Sequence, residues 1–286
     1  MSNPLVSIYT ITRNRCDLLP RALKSVLSQT YKNIEYIIID SASTDDTENV
    51  VKSFEDERIR YIKLEENKTF GACINLAFEL ATGKYVTELD DDDEYHLDKI
   101  EKQVVLFESL SEDYGMVYCW MTYYNSQTGK FIENHMAELR GNIGDEVVAT
   151  NNVSGTPTLM LRRELFEKVG KYKLEEEIGV ESDWEFAARI CQHCKVDYVP
   201  EFLINIYVNH SHKRMSDAGY YKDYSKKRIV FHEYFLKEFE DVFRRHSKCQ
   251  CPHFLRLTVF SWRAKEFGKC LNYATKYVGY KLFGSK

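Results

Sequence analysis

The chain has 286 residues, 44% of them hydrophobic and 14% aromatic, which is enough to bury one large core or two modest ones and excludes disorder of the whole chain. Its net charge of −5 is unevenly divided. Residues 201–286 hold 17 Lys/Arg and 8 Asp/Glu (+9), which leaves 22 Lys/Arg and 36 Asp/Glu (−14) for residues 1–200. An acidic main body argues against nucleic-acid binding, which needs a basic face.

The eight cysteines lack the spacing of a disulfide framework, as is typical of a reducing cytoplasm. Cys191-x-x-Cys194 lies far along the chain from Cys249-x-Cys251-x-His253, which disfavours a zinc site. Neither a signal peptide nor an apolar run long enough to span a membrane is recognisable, so we expect a cytoplasmic protein.

Short apolar runs alternate with amphipathic patterns from Leu5 to Leu110. Strands are predicted at 5–12, 34–39, 58–64 and 85–89. Helices are predicted between them, the first capped by Asp17, and a further helix at about 97–110, with Asp93 and Glu94 shaping the turn before it and leading into it. Strands alternating with helices through short loops predict right-handed βαβ units on a parallel sheet.

Polar residues follow three of these strands, namely Thr12-Arg13-Asn14, Asp40-Ser41 and Asp90–Asp93. Ligands of open α/β sheets bind beyond the carboxyl ends of the strands. The run from Asp90 to Glu94 is five consecutive carboxylates, and like charges about 5 Å apart repel by roughly 3 kcal/mol at an effective dielectric of ~20. Either this run is a solvated turn or a cation neutralises it, and the three converging strand ends favour a cation site.

The pattern changes after Leu110. Further elements are predicted as a hairpin around 125–129, a strand at 158–161, a helix at 163–169, a loop at 175–179, a helix at 181–189 and a strand at 202–208. From Tyr220 the chain reads as helical, basic and aromatic. Residues 253–286 are typical either of a helix on a membrane surface or of a packing helix with a solvated basic face.

A multi-part motif extends over the same N-terminal region. Its parts are Val6-Ser7-Ile8, Thr12-Arg13-Asn14-Arg15, Ile39-Asp40-Ser41, Ala81-x-Gly83-x-Tyr85 and Leu89-Asp90-x-Asp92-Asp93. Together they resemble the family 2 glycosyltransferases, and Asp183-x-Glu185-x3-Arg189 is similar to that family's second acidic motif. The resemblance implies a GT-A fold, an α/β mixed sheet flanked by helices, over residues 1–215. Residues 1–100 would bind the nucleotide sugar, residues 101–215 the acceptor, and residues 216–286 would form a helical extension.

The resemblance also implies an activity. A hexosyl or N-acetylhexosaminyl group would pass, with inversion, from a nucleotide-diphosphate sugar (a UDP-sugar is the expected donor) to a glycan or lipid-linked glycan, with Mn²⁺ or Mg²⁺ as cofactor. By position, Asp40 would bind the base, Thr12, Arg13 and Asn14 would line the base and ribose pocket, and Asp90 and Asp91 would face the ribose and diphosphate. Asp92 would hold the metal together with Asp90 and His210.

The same resemblance makes Asp183 the general base, with Glu181 and Glu185 as alternatives. Trp184 would be either a platform for the acceptor sugar or a buried aromatic residue. His210 or His212, with Lys213 and Arg214, would close over the diphosphate or complete the metal shell; the alternative is a solvated polar loop.

Four positions depart from the family pattern. Arg13 stands where an aromatic residue is common, Ser41-Ala42 replace the frequent Asp-Gly, Ile74 replaces an arginine, and Ser182 replaces a glutamate.

Two competing functions stay open. A nucleotidyltransferase of related fold would need a glycine-rich phosphate loop, and residues 9–16 contain no glycine. An inactive nucleotide-sugar-binding module would not need Asp90, Asp92 and Asp183.

Overall fold

The structure is a computed structural model that describes residues 3–153, 155–212 and 223–283. Two compact units are present. We call the first the sheet unit, which consists of Met1–Asn142, Val153–Tyr172 and His193–His212. We call the second the helical unit, which consists of Ile143–Asn152, Lys173–Gln192 and Lys213–Lys286. The predicted roles of Lys213 and Arg214 lie outside the described residues.

The first half of the sheet unit alternates strands and helices. Its strands are β1 (Val6–Thr12), β2 (Ile34–Asp40), β3 (Ile59–Lys63) and β4 (Tyr85–Glu88). Its helices are α1 (Leu19–Leu27), α2 (Thr47–Lys52) and α3 (Phe70–Leu80). The pairs β1–β2, β1–β4 and β2–β3 are parallel, which confirms the predicted βαβ series. The near-continuous apolar runs of β1 and β2 suit strands covered on both faces, and they are buried almost throughout.

The second half of the sheet unit makes the sheet mixed. Its elements are β5 (Glu94–Tyr95), α4 (Lys99–Ser109), β6 (Tyr114–Asn125), β7 (Phe131–His135), β8 (Met160–Arg162), α6 (Glu164–Val169) and β9 (Lys195–Val208). Across the described residues the strand order is β3-β2-β1-β4-β8-β6-β9-β5, with β7 paired to β6. Strand β8 is antiparallel to both β4 and β6, whereas β9 is parallel to β6.

The helical unit contains α5 (Gly144–Ala149), α7 (Glu175–Ile178), α8 (Ser182–Cys191), α9 (Tyr224–Glu238), α10 (Glu240–Arg245), α11 (Cys251–Arg263) and α12 (Phe267–Phe283). The predicted division at residue 215 differs from these units. Helices α5, α7 and α8 belong with the C-terminal helices because their apolar faces pack there: the Trp184 ring lies against Phe231 and Phe235 of α9.

Three local predictions were wrong. Asp17 does not cap α1, whose N-cap is Leu18 without a side-chain hydrogen bond; its carboxylate instead contacts His212 Nε2 at 2.9 Å. Residues 175–178 form the short helix α7 rather than a loop. Glu94, expected to lead into a helix, lies in β5 opposite Asn205. Within the described residues we find no helix with the length and apolarity to cross a bilayer.

Candidate active site

The parallel register brings the ends of β1, β2 and β4 to one edge of the sheet. Thr12, the last residue of β1, is the partner of Asp40, the last residue of β2. On the other side of β1, Tyr9 is the partner of Glu88, the last residue of β4. The acidic run therefore leaves the sheet beside the end of β1, as the spacing of the polar residues predicted.

A carboxylate cluster forms just after β4. Asp90, Asp92 and Asp93 each place one carboxylate oxygen within 4.8 Å of the others. Asp92 and Asp93 are buried and Asp90 is half-buried, so water screens these charges poorly. Three oxygen donors at this separation fit a hard divalent cation such as Mg²⁺ or Mn²⁺.

Two basic side chains of the sheet unit pair with this cluster. Arg15 Nη1 lies 2.8 Å from Asp91 Oδ1 and 3.2 Å from Asp92 Oδ2. His210 Nε2 lies 2.7 Å from the same Asp92 oxygen. His210 was predicted at the metal site, whereas no role was predicted for Arg15, although Arg15 belongs to the motif Thr12-Arg13-Asn14-Arg15 at the end of β1. Burial raises the pKa of the Asp91 carboxyl, and the charge of Arg15 opposes that effect.

A second set of contacts joins the acidic run to β9. Asp93 Oδ1 accepts the backbone N–H of Tyr207 at 2.8 Å, and Glu94 Oε2 accepts the Tyr207 hydroxyl at 2.9 Å. The guanidinium of Arg21 stacks on the Tyr207 ring, 3.6 Å from its centroid, and donates to the backbone oxygen of Asp92. Asp93 and Glu94 thus fix the loop that carries Asp90 and Asp92. Arg21 and Tyr207 were missed because only the fold brings them to this loop.

The turn after β2 is built around Asp40 and Asn14. Asp40 is fully buried; its Oδ1 accepts the N–H of Ser43 at 2.7 Å, and its Oδ2 accepts the hydroxyl of Tyr61. Burial and the Asp40 charge raise the pKa of Tyr61. Asn14 adopts a positive φ of 52°, and its Oδ1 accepts the N–H of Thr44 at 2.8 Å. Asp40 and Asn14 therefore hold the shape of this strand-end turn.

The remaining residues predicted for the base and ribose pocket differ in exposure. Thr12 is buried at the end of β1, whereas the Arg13 side chain is exposed. The structure thus brings Thr12, Asn14 and Asp40 together at adjoining strand ends. Arg13 lies at the same strand end with its side chain in solvent.

The helical unit carries the predicted base. Asp183 is the second residue of α8 and is exposed to solvent. Desolvation by the protein packed around it nevertheless raises the pKa of its carboxyl, and hydrogen bonds from the backbone N–H groups of Trp184 and Asp183 oppose that effect.

The two alternative bases are both held by arginines. Glu181 forms an ion pair with Arg228. Glu185 is fully buried and accepts two hydrogen bonds from Arg189, at 2.6 Å from Nε and 2.9 Å from Nη2. Asp183 forms no ion pair within the parts of the chain that the structure describes. An arginine stabilises the ionised carboxylate and so makes it a weaker proton acceptor. The difference in pairing therefore favours Asp183 as the general base among the three carboxylates.

Trp184 does not offer its ring as a sugar platform, which corrects the predicted binding role. Its side chain is 2% exposed, and its indole N–H donates to the backbone oxygen of Val147 at 2.6 Å. Adjacent residues of a helix point about 100° apart, so α8 turns Asp183 outward and Trp184 into the core. Of the two readings of Trp184, the structure supports the buried aromatic residue.

Comparison with known proteins identifies the family. The family model described as "Glycosyl transferase family 2" matches residues 7–170, more than half of the chain. The chain belongs to glycosyltransferase family 2. The match contains β2, β4, the carboxylate cluster and all of β1 except Val6, so the strand-end site described above lies inside the family domain.

Curated relatives of this family 2 chain include bacterial glycosyltransferases. It is 35% identical over 164 residues to a putative teichuronic acid biosynthesis glycosyltransferase, TuaG, of Bacillus subtilis, covering 56% of this chain and 63% of the relative. It is 41% identical over 105 residues to an Escherichia coli enzyme named UDP-Glc:alpha-D-GlcNAc-diphosphoundecaprenol beta-1,3-glucosyltransferase, WfaP, covering 37% and 42% of the two chains. The chain thus spans less than two thirds of each of these relatives.

Solved structures of similar fold support the architecture. The structure of S. aureus TarS 1–349 with UDP-GlcNAc superposes with a TM-score of 0.66 at 16% identity, covering 96% of this chain and 91% of that one. The mannosyltransferase PcManGT of Pyrobaculum calidifontis, in complex with GDP-Man and Mn²⁺, superposes with a TM-score of 0.60 at 18% identity, covering 100% and 77%. At these identities the likeness is one of fold, and it confirms the predicted GT-A type.

Proposed function

We propose that this family 2 protein is an inverting glycosyltransferase that moves a sugar from a nucleotide-diphosphate donor to a glycan or lipid-linked glycan. The observation that carries the proposal is the cluster of Asp90, Asp92 and Asp93 after β4, inside the family domain. A UDP-sugar is the expected donor, since WfaP and the TarS complex are both named with UDP-sugars. The diphosphoundecaprenol acceptor in the name of WfaP supports a lipid-linked acceptor. Transfer to such an acceptor would occur at the cytoplasmic face of a membrane.

Mn²⁺ or Mg²⁺ would be held by Asp92 and Asp90, with His210 beside Asp92. When bound, such an ion supplies Lewis-acid stabilisation of the charge that develops on the leaving diphosphate. Asp91 would face the donor with its charge balanced by Arg15. Thr12, Arg13, Asn14 and Asp40 would form the side of the site that receives the base and ribose.

The transfer is a single displacement. The acceptor hydroxyl oxygen bonds to the anomeric carbon while the bond from that carbon to the diphosphate oxygen breaks, which inverts the anomeric configuration. Asp183 takes the proton of the acceptor hydroxyl. Its raised pKa makes it a better proton acceptor than an ordinary aspartate, and no arginine among the described residues competes with that proton for its carboxylate.

The test combines donor turnover with product stereochemistry. The full chain is incubated with Mn²⁺ and a panel of UDP-, GDP- and dTDP-sugars, with and without a lipid-diphosphate-linked acceptor, and release of nucleoside diphosphate is followed. We expect turnover with one donor class, a product of inverted anomeric configuration by NMR, and loss of turnover in Asp92→Asn. Asp113→Asn is the matched control, since its ion pair with Lys195 lies on the surface of the sheet unit and involves no residue of the carboxylate cluster. Donor binding without turnover under all conditions would indicate an inactive binding module instead.

A further inference from the structure

An apolar stripe runs along the outer face of α12. Phe267, Leu271, Val278 and Leu282 follow one another at intervals of four, seven and four residues, the spacing of a single helix face. They are 57%, 71%, 50% and 66% exposed. The opposite face of α12 is already covered, because Tyr273 packs into a buried cluster with Phe254, Leu257 and Phe260. The exposed stripe is therefore not the face through which α12 packs against the rest of the helical unit.

Helix α11 extends this apolar surface. Leu255, Val259 and Trp262 are separated by four and three residues and are each exposed. The Trp262 and Phe267 rings meet edge to face, with centroids 5.3 Å apart, at the turn between α11 and α12. We call these seven side chains of α11 and α12 the hairpin patch. Contiguous exposed apolar surface of this kind marks an interaction site.

The charges around the hairpin patch are predominantly positive. From Cys251 to Phe283 the chain has six basic residues (Arg256, Arg263, Lys265, Lys269, Lys276 and Lys281) and one acidic residue, Glu266, a balance of +5. Glu266 pairs with Lys269, whereas Lys276 and Lys281 lie against aromatic rings, 5.5 Å from the Phe254 centroid and 5.4 Å from the Tyr277 centroid. Helix α12 contains no acidic residue.

We propose that the hairpin patch docks on an anionic lipid surface, with α12 lying in the plane of the headgroups. Exposed Trp, Phe and Leu side chains, with Lys265 in the turn between the two helices and Lys281 next to Leu282, are the features of a helix that binds the membrane interface. A second copy of the chain is a poorer occupant, because a two-fold contact would bring the same basic helix against itself. The surface lies outside residues 7–170, so the inference stands apart from the transfer reaction.

The test is co-sedimentation of the full chain with vesicles of phosphatidylcholine alone or of phosphatidylcholine mixed with phosphatidylglycerol. We expect binding to the anionic vesicles, weakened by high salt. The double variant Phe267→Ser/Leu271→Ser should bind roughly tenfold or more weakly, because two apolar side chains no longer enter the interface. Lys265→Glu/Lys281→Glu, at two exposed lysines next to the patch, should lose binding to anionic vesicles by a similar factor.

Leu97→Ser/Val105→Ser is the matched control, because both residues are exposed apolar side chains in the sheet unit, 59% and 55% exposed. This control should bind like the unaltered chain, and thermal melting should show all variants folded. Equal binding by the Phe267/Leu271 variant and the control would overturn the proposal. So would absence of vesicle binding together with a dimer, seen by light scattering, that the Phe267/Leu271 variant dissociates. Neither outcome depends on donor turnover. The proposed transferase activity is therefore tested separately, by release of nucleoside diphosphate.

Discussion

His210 Nε2 lies 2.7 Å from Asp92 Oδ2, and both side chains are only 3% exposed. His210 follows β9 and Asp92 follows β4, so this contact joins two strand ends that are 118 residues apart in the chain. The Nδ1 atom of His210 is buried and has no hydrogen-bond partner among the described residues. His210 Nε2 therefore lies close enough to the carboxylate cluster for its side chain to affect the binding of a cation there.

His210→Gln should weaken Mn²⁺ binding about 10- to 100-fold, as loss of a ligand or of its supporting contact typically does. Asp92→Asn should weaken it further, because it removes a charged oxygen from the cluster. Calorimetric titration with Mn²⁺ measures both. His212→Gln is the control: its ring centroid is 6.1 Å from that of His210, but it contacts Asp17 at the surface. Mn²⁺ affinity equal to the unaltered chain in both site variants would contradict the assignment.

Arg15→Gln should lower the free energy of unfolding in metal-free buffer by about 1–3 kcal/mol, because it leaves the carboxylates of Asp91 and Asp92 without their nearby guanidinium. Added Mn²⁺ should restore more stability to this variant than to the unaltered chain, since the ion then supplies the missing positive charge. Thermal melting with and without Mn²⁺ measures the difference.

Arg58→Gln is the control for Arg15→Gln. Arg58 pairs with Asp56 at 2.7 Å and is exposed to a similar extent, 22% against 20% for Arg15, but no residue of the carboxylate cluster is among its described partners. It should lose stability without any rescue by Mn²⁺. Equal Mn²⁺ shifts in the two variants would mean that Arg15 does not balance the charge of the cluster.

The parallel half of the sheet was predictable because its information is local. The apolar runs of β1 and β2 can be recognised from neighbouring residues alone, whereas the need for a glycine before β4 is evident only in the fold. A Cβ on Gly83 would come within 2.7 Å of Leu5 O and Ser7 N, so that position accepts no side chain without a shift of backbone. Once the strands are parallel, Thr12 and Asp40 must end side by side.

The contacts of the site were less predictable because they join distant segments. The pairing of Glu94 with Asn205 turns an expected helix start into β5, and it depends on a strand 111 residues away. The arginine partners of Asp91 and Glu181 likewise depend on the fold. The burial of Trp184 has a local origin instead, because the helical period of α8 turns its side chain away from the exposed Asp183.

Asp183→Asn should lower kcat by about 10²–10⁴-fold while donor affinity is unchanged, because the amide cannot take the acceptor proton. Glu185→Gln should act on stability instead, since it breaks a buried ion pair with Arg189. Steady-state kinetics and thermal melting separate the two effects. A stable, inactive Glu185→Gln beside an active Asp183→Asn would reassign the base.

The pH dependence of transfer should carry the signature of Asp183. A base acts in its ionised form, so kcat/KM should fall as pH drops through the pKa of this carboxyl. Since the surrounding protein raises that pKa above the ordinary aspartate value, the acid limb should lie at higher pH than an ordinary aspartate would give. Residual turnover by Asp183→Asn should lack this limb, and an identical limb in the variant would mean that another group causes it.

Two buried histidines should make the helical unit sensitive to acid. His253 Nε2 donates to the backbone oxygen of Val148 at 2.8 Å, so its Nδ1 accepts from His232 Nδ1 at 3.1 Å. A proton added to His253 would set two N–H groups against each other. Burial lowers the pKa of His253 to about 4, and burial together with His253 lowers the pKa of His232.

In the folded protein the pKa values of His232 and His253 both lie below the value of about 6.5 for a histidine in the unfolded chain. The unfolded chain therefore binds more protons, and stability is lost as pH falls below about 6.5. Between about pH 7.5 and pH 4.5, His232 alone should contribute about 2–3 kcal/mol to this loss. His232→Phe removes the titrating ring but keeps an aromatic side chain among Trp184, Phe231 and Phe260. Urea unfolding should therefore show a smaller difference between the two pH values for this variant, whereas His135→Gln, at an exposed strand position, should behave like the unaltered chain. An unchanged difference in His232→Phe would mean that the histidine pair is not the source of the acid sensitivity.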